Sequence, residues 1–66
     1  MTQAKVIFDG QHYTACTLSG GLVVTRKHKR GGKYLIGAEA VQWIDAIETA
    51  IDAAEANALC RAIVND

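Results

Sequence analysis

The segment from residue 26 to residue 33 concentrates the positive charge of the chain. It contains five of the seven lysine and arginine residues, namely Arg26, Lys27, Lys29, Arg30 and Lys33, and no acidic residue. Cations this close repel one another unless an anion neutralises them, and nucleic-acid phosphates do so with release of condensed counterions. Gly31 and Gly32 lie among them and would let backbone amides approach a phosphate. The segment therefore predicts a hairpin that binds DNA or RNA.

Two other roles are open for this basic segment. Lysines commonly protect exposed strands from pairing with other chains, so the segment could be a solvated hairpin tip. It could also dock on an acidic protein surface, as in a small inhibitor or adaptor of the kind that phages and mobile elements encode. The chain has no net charge and a pI near 6.7, unlike a dedicated nucleic-acid binder, but its charge is segregated between the hairpin and an acidic helix.

Catalytic and metal-binding motifs are missing from the sequence. There is no nucleophile elbow, phosphate-binding loop or zinc-protease motif. Cys16 and Cys60 are far apart, and His12 lies about 13 Å from Cys16 if both are on one strand, too far to share an ion. The acidic residues Asp45, Glu48, Asp52 and Glu55 are typical of a solvated helix face. We therefore expect a non-enzymatic protein without a cofactor or metal.

The length of 66 residues predicts a single domain over residues 1–66. No apolar run approaches the ~18 residues of a membrane span, and the N-terminus has no apolar signal region, so we expect a cytoplasmic protein. A chain of this size buries only about 60% of its unfolded surface, which makes its core marginal and favours a second chain.

Four strands are predicted before residue 38, at residues 4–8, 11–17, 22–28 and 33–37. The pair Asp9-Gly10 favours a two-residue type I′ turn, and residues 30–32 favour a three-residue loop with a left-handed glycine. These two loops would direct one set of side chains towards the core: Ala4, Val6, Phe8, Tyr13, Ala15, Leu22, Val24, Tyr34 and Ile36.

Residues 39–64 contain no glycine or proline and predict one long helix. Its expected core stripe is Ala40, Ile44, Ile47, Ile51, Ala54 and Ala58, with Trp43 at the edge. A straight helix of this length would span about 39 Å and overhang a small globule, unless it bends near Asn57. A further face carries small residues and is the expected homodimer interface: Ala46, Ala50, Ala53, Asn57 and Cys60. The predicted fold is α+β, a four-stranded antiparallel meander with one long C-terminal helix on the sheet.

Overall fold

A computed structural model describes residues 4–65 of the chain. The elements are β1 (Lys5–Asp9), β2 (Tyr13–Leu18), β3 (Gly21–Arg26), β4 (Gly32–Leu35), α1 (Gly37–Glu48) and α2 (Ala53–Val64). The strands form one antiparallel sheet in the order β1-β2-β3-β4, which confirms the predicted α+β meander. Within this described part of the chain, neither helix is long and apolar enough to cross a membrane.

The first hairpin has a longer turn than the predicted two residues. Phe8 pairs with Ala15 and Asp9 pairs with Thr14, and a bulge at Ile7 shifts the register between Val6 and Phe8. The ring of Phe8 covers Gly10 so closely that a Cβ there would lie 2.9 Å from the ring Cε2 atom. Gly10 therefore makes room for the ring and does not adopt the left-handed conformation that a type I′ turn requires.

This register changes which residues of β1 face the core. Phe8 packs against the core, as predicted, but Val6 lies opposite Cys16 and is 56% exposed. The predicted core positions of Val6 and of Ala4, which is also exposed, were wrong. The bulge is responsible, because an extra residue in one strand reverses the alternation of side chains beyond it.

The second hairpin has a six-residue connection, residues 26–31, between the paired Thr25 and Gly32. The predicted three-residue loop was wrong, and with it the inward positions of Tyr34 and Ile36, which are 53% and 67% exposed. Leu35 takes the buried position opposite Leu22 instead.

The longer connection also separates two like charges. The predicted loop would have placed Lys29 directly opposite Lys33, and like charges in that position destabilise a strand pair. In the structure Lys33 pairs with Val24, and Lys29 lies in the connection.

The predicted single helix is two helices of 12 residues each. The Asp52 carboxylate accepts a hydrogen bond from the Glu55 amide at 2.9 Å, and the Glu55 carboxylate accepts one from the Ile51 amide at 2.9 Å. The first bond caps the start of α2, and the second, to the residue before the N-cap, resembles the reciprocal bond of a capping box. The Thr49 hydroxyl, just after α1, donates to the Asp45 carbonyl at 2.8 Å. The break therefore lies at residues 49–52 and not near Asn57.

The break changes the buried face of the second helix. Ala40 and Ile47 are buried as predicted, but Ile51 is 90% exposed and both Ala54 and Ala58 are exposed. Helix α2 instead buries Ala56, Cys60, Ile63 and Val64. The two short helices fit within extents of 30 × 26 × 19 Å, so the overhang that favoured a dimer does not exist.

Candidate functional site

The five cations predicted to bind an external anion fall into two groups in the structure. Arg26 ends β3, Lys33 lies on β4, and the other three lie in the connection between them. Arg26 and Lys27 contact groups of the protein itself, whereas Lys29, Arg30 and Lys33 are exposed and have no carboxylate partner within residues 4–65.

Arg26 joins the hairpin to the end of α2. Its half-buried side chain donates a hydrogen bond to the Val64 carbonyl at 3.3 Å and another to the Arg30 carbonyl at 3.4 Å. The last carbonyls of a helix carry partial negative charge, and a cation near them is stabilising. Arg26 therefore holds the position of the hairpin relative to α2.

Lys27 joins the hairpin to the turn between β1 and β2. Its ammonium forms an ion pair with Asp9, and its backbone amide donates to the His12 carbonyl at 2.9 Å. The hydrogen bond from Lys27, followed by its positive charge, lowers the pKa of Asp9 below its usual 3.8. The expectation that no acid neighbours the basic segment is wrong for Lys27, since Asp9 is distant in sequence and adjacent in the sheet.

Lys29, Arg30 and Lys33 have no such neighbour. Within residues 4–65, no carboxylate lies within 4 Å of their charged nitrogens. The same holds for Arg61, which is exposed in the last turn of α2. These four positive charges remain available to an external anion.

A cleft of about 490 Å³ lies between the hairpin, the start of β2 and helix α2. It is lined by His12, Tyr13, Arg26, His28, Lys29, Asn57 and Arg61. Three of these residues are cations, and no carboxylate is among the described residues that form its walls. Charges of one sign in a concave site concentrate the electric field and attract an ion of the opposite sign.

Two histidines form one wall of this cleft. The rings of His12 and His28 contact each other edge to face, with centroids 6.1 Å apart and planes at 70°. Asn57 and Arg61 contribute from α2, where a spacing of four residues places them on one face. Tyr13 is 7% exposed and belongs to both the core and the cleft lining.

Most residues of this cleft are not evident from the sequence. Of its residues, only Arg26 and Lys29 were predicted to bind a ligand. Arg61 offered a signal, because it is the sole lysine or arginine after residue 33 and is four residues from Asn57. His12 offered none, because its proximity to His28 depends on the pairing of strands distant in sequence.

The predicted dimer interface does not form one continuous face. Ala46 is in α1, Ala50 is in the break, and Ala53 begins α2. Asn57 lines the cleft, and Cys60 is completely buried in the core of its own chain. Homodimer formation stays a prediction.

The sheet face opposite the helices is open. Val6, Cys16, Val23 and Tyr34 lie in register across the four strands on this face. Asp9 is on the same side, opposite Thr14, and is paired with Lys27. Of the two tyrosines, Tyr34 is therefore the one accessible on the open face.

Comparison of the chain with protein-family models, curated proteins and solved structures gave no match. In residues 4–65 there is also no group of three or more histidine, cysteine or carboxylate side chains that could hold a metal ion. The charges and geometry of the site are therefore the basis for its function.

Proposed function

We propose that this protein is a non-enzymatic nucleic-acid-binding module that contacts phosphates through Lys29, Arg30, Lys33 and Arg61. The observation that supports this most directly is the presence of four exposed cations without carboxylate partners around one end of the sheet. A folded chain gains nothing from repulsion between these charges, whereas a polyanion neutralises them all at once.

The positions of two acidic residues agree with a polyanion that binds on the hairpin side of the protein. Glu48 and Asp52 lie at the junction of the helices beside residues 5–8 of β1, at the sheet edge opposite β4. Lys5 lines the same region and offsets part of this charge, so the two carboxylates place a modest negative charge away from the hairpin. This separation favours the approach of a polyanion from the hairpin side.

The dependence of binding on salt tests this proposal quantitatively. Each phosphate contact contributes about 0.9 to the slope of log K against log salt for duplex DNA, so four contacts predict a slope of about −3.6. Between about 50 and 200 mM salt, affinity should then fall about 150-fold. Changing Lys29, Arg30 and Lys33 together to alanine leaves one contact and a fall of only about 3.5-fold. Fluorescence anisotropy with a labelled duplex oligonucleotide measures both values.

Lys5→Ala is the matched control, because Lys5 is an exposed lysine on the far edge strand. It should keep the slope of the parent protein. A triple variant that also kept that slope would refute the phosphate contacts. Absence of oligonucleotide binding at low salt would refute the function as a whole and favour docking on an acidic protein.

A further inference from the structure

We propose that the cleft beside the hairpin accommodates one unpaired nucleotide, so that the protein prefers single-stranded nucleic acid to duplex. The proposal rests on the nucleic-acid-binding function above and names the class of nucleic acid that this site selects. Its basis is the size of the cleft together with the combination of charged, aromatic and amide groups that line it.

The size of the cleft discriminates between a duplex and a single strand. A volume of about 490 Å³ is in the range of small-molecule pockets, which is roughly 300–1,000 Å³. A nucleotide within a duplex is held in the base stack and cannot enter such a cleft without being extruded. A nucleotide of a single strand is already free to turn into it.

The lining of the cleft fits a whole nucleotide better than a phosphate alone. Lys29 and Arg61 carry unpartnered positive charges that suit the phosphate. The rings of His12 and His28 provide flat aromatic surface for a base. The Asn57 amide supplies both a hydrogen-bond donor and an acceptor, as recognition of a base edge requires.

The fold holds the walls of the cleft in place before any ligand arrives. The bond from Arg26 to the Val64 carbonyl fixes the hairpin against α2, and the bond from the Lys27 amide to the His12 carbonyl fixes the two histidine-bearing segments together. A site that is already ordered loses little entropy on binding, which favours capture of one flexible nucleotide.

The open sheet face is the competing place for a base, through Tyr34. The residues in register with Tyr34 are uncharged, and the nearby Asp9 is neutralised by Lys27. The cations without partners that line the cleft, Lys29 and Arg61, have no counterparts in that row. Lys33 adjoins Tyr34 in sequence, but it pairs with Val24, whose side chain lies on the opposite face of the sheet. A phosphate attached to a base on Tyr34 would therefore have weaker electrostatic support than one between Lys29 and Arg61, so the cleft is favoured.

The test compares a single-stranded oligonucleotide with the duplex of the same sequence, using the full chain. The parent protein should bind the single strand at least tenfold more tightly. Loss of a base–aromatic contact typically weakens binding at least fivefold, so His12→Ala should reduce single-strand affinity by about that factor and leave duplex affinity nearly unchanged. Asn57→Ala is a second, independent variant with the same expectation, and Tyr34→Ala is the control that should retain the preference.

A direct measurement uses uridine 5′-monophosphate as the probe, with inorganic phosphate for comparison. In NMR spectra, the nucleotide should shift the imidazole resonances of His12 and His28 and the side-chain amide of Asn57 more than phosphate does. Equal affinity for single strand and duplex would overturn the inference and leave the proposed function intact. A preference abolished by Tyr34→Ala and not by His12→Ala would overturn it in favour of the open face. Failure to bind either form would refute both proposals.

Discussion

Lys27 and Lys29 are two residues apart in the same basic segment, and the structure assigns them different roles. Lys27 is paired with Asp9, whereas Lys29 has no carboxylate partner within the described residues and lines the cleft. Replacing each with alanine removes one positive charge from nearly the same place. We expect the two substitutions to have different effects on nucleic-acid binding.

The difference can be calculated from the number of available cations. Lys29→Ala reduces the proposed phosphate contacts from four to three, which on duplex DNA changes the slope of log K against log salt from about −3.6 to about −2.7. The loss of affinity between about 50 and 200 mM salt should then fall from about 150-fold to about 40-fold. Removing Lys27 together with its partner, in Asp9→Asn/Lys27→Ala, should leave the slope near that of the parent protein, because these two charges already neutralise each other.

The effect of the Asp9 charge on binding has to be separated from the effect of losing Lys27. Lys27→Ala would leave this negative charge unpaired beside the hairpin, where it repels phosphate, so the fair comparison is the double variant Asp9→Asn/Lys27→Ala. An NMR titration of the Asp9 carboxyl reports on the pair directly. Its pKa should lie below 3.8 in the parent protein and return towards 3.8 in Lys27→Ala.

The lowered pKa also sets the pH range in which the pair stabilises the fold. The folded-state pKa of Asp9 is below its unfolded value, so this contribution is present above pH 3.8 and is lost as pH falls through the folded pKa. Binding assays near neutral pH therefore compare Lys27 and Lys29 with the ion pair intact. If the double variant lost as much slope as Lys29→Ala, Lys27 would be a phosphate contact and the division of the cations would be incorrect.

Two further predictions concern the fold. Asp52→Ala removes the cap from the Glu55 amide, so it should lower the free energy of unfolding by about 1 kcal/mol, which lowers Tm by about 4–8 °C. The control Asp45→Ala, at an exposed residue, should change the free energy of unfolding by less than about 0.5 kcal/mol. Equal Tm values for these variants would show that the cap does not stabilise the fold. Burial raises the pKa of the Cys60 thiol to about 11, so at pH 8 a thiol reagent should modify half-buried Cys16 much faster than Cys60. Both thiols should react rapidly in denaturant, and fast modification of Cys60 in the native protein would contradict its burial.

Much of the fold follows from local patterns in the sequence. Alternating apolar residues and glycine-containing turns located four strands in the correct order, and the alanine-rich segment located the helical region. The break between the helices was also encoded locally, since Asp52 and Glu55 have the spacing of a capping box and were interpreted as part of an acidic stripe instead.

The candidate site was predictable only in part. The cluster of cations in residues 26–33 is evident from composition alone, and the structure leaves Lys29, Arg30 and Lys33 exposed. The ion pair that removes Lys27 from this set joins residues 18 positions apart. The cleft joins the start of β2 and the hairpin to α2, so apart from the spacing of Asn57 and Arg61 no local pattern could indicate it.

The sequence by itself determined the order of the strands, the presence of a helical second half and the place where positive charge gathers, because each depends on residues within a few positions of one another. Only the tertiary structure decided the strand registers, the buried face of α2 and which cations are neutralised. Those depend on free energies of packing and charge pairing between distant segments, as when the ring of Phe8 covers Gly10 or Asp9 meets Lys27.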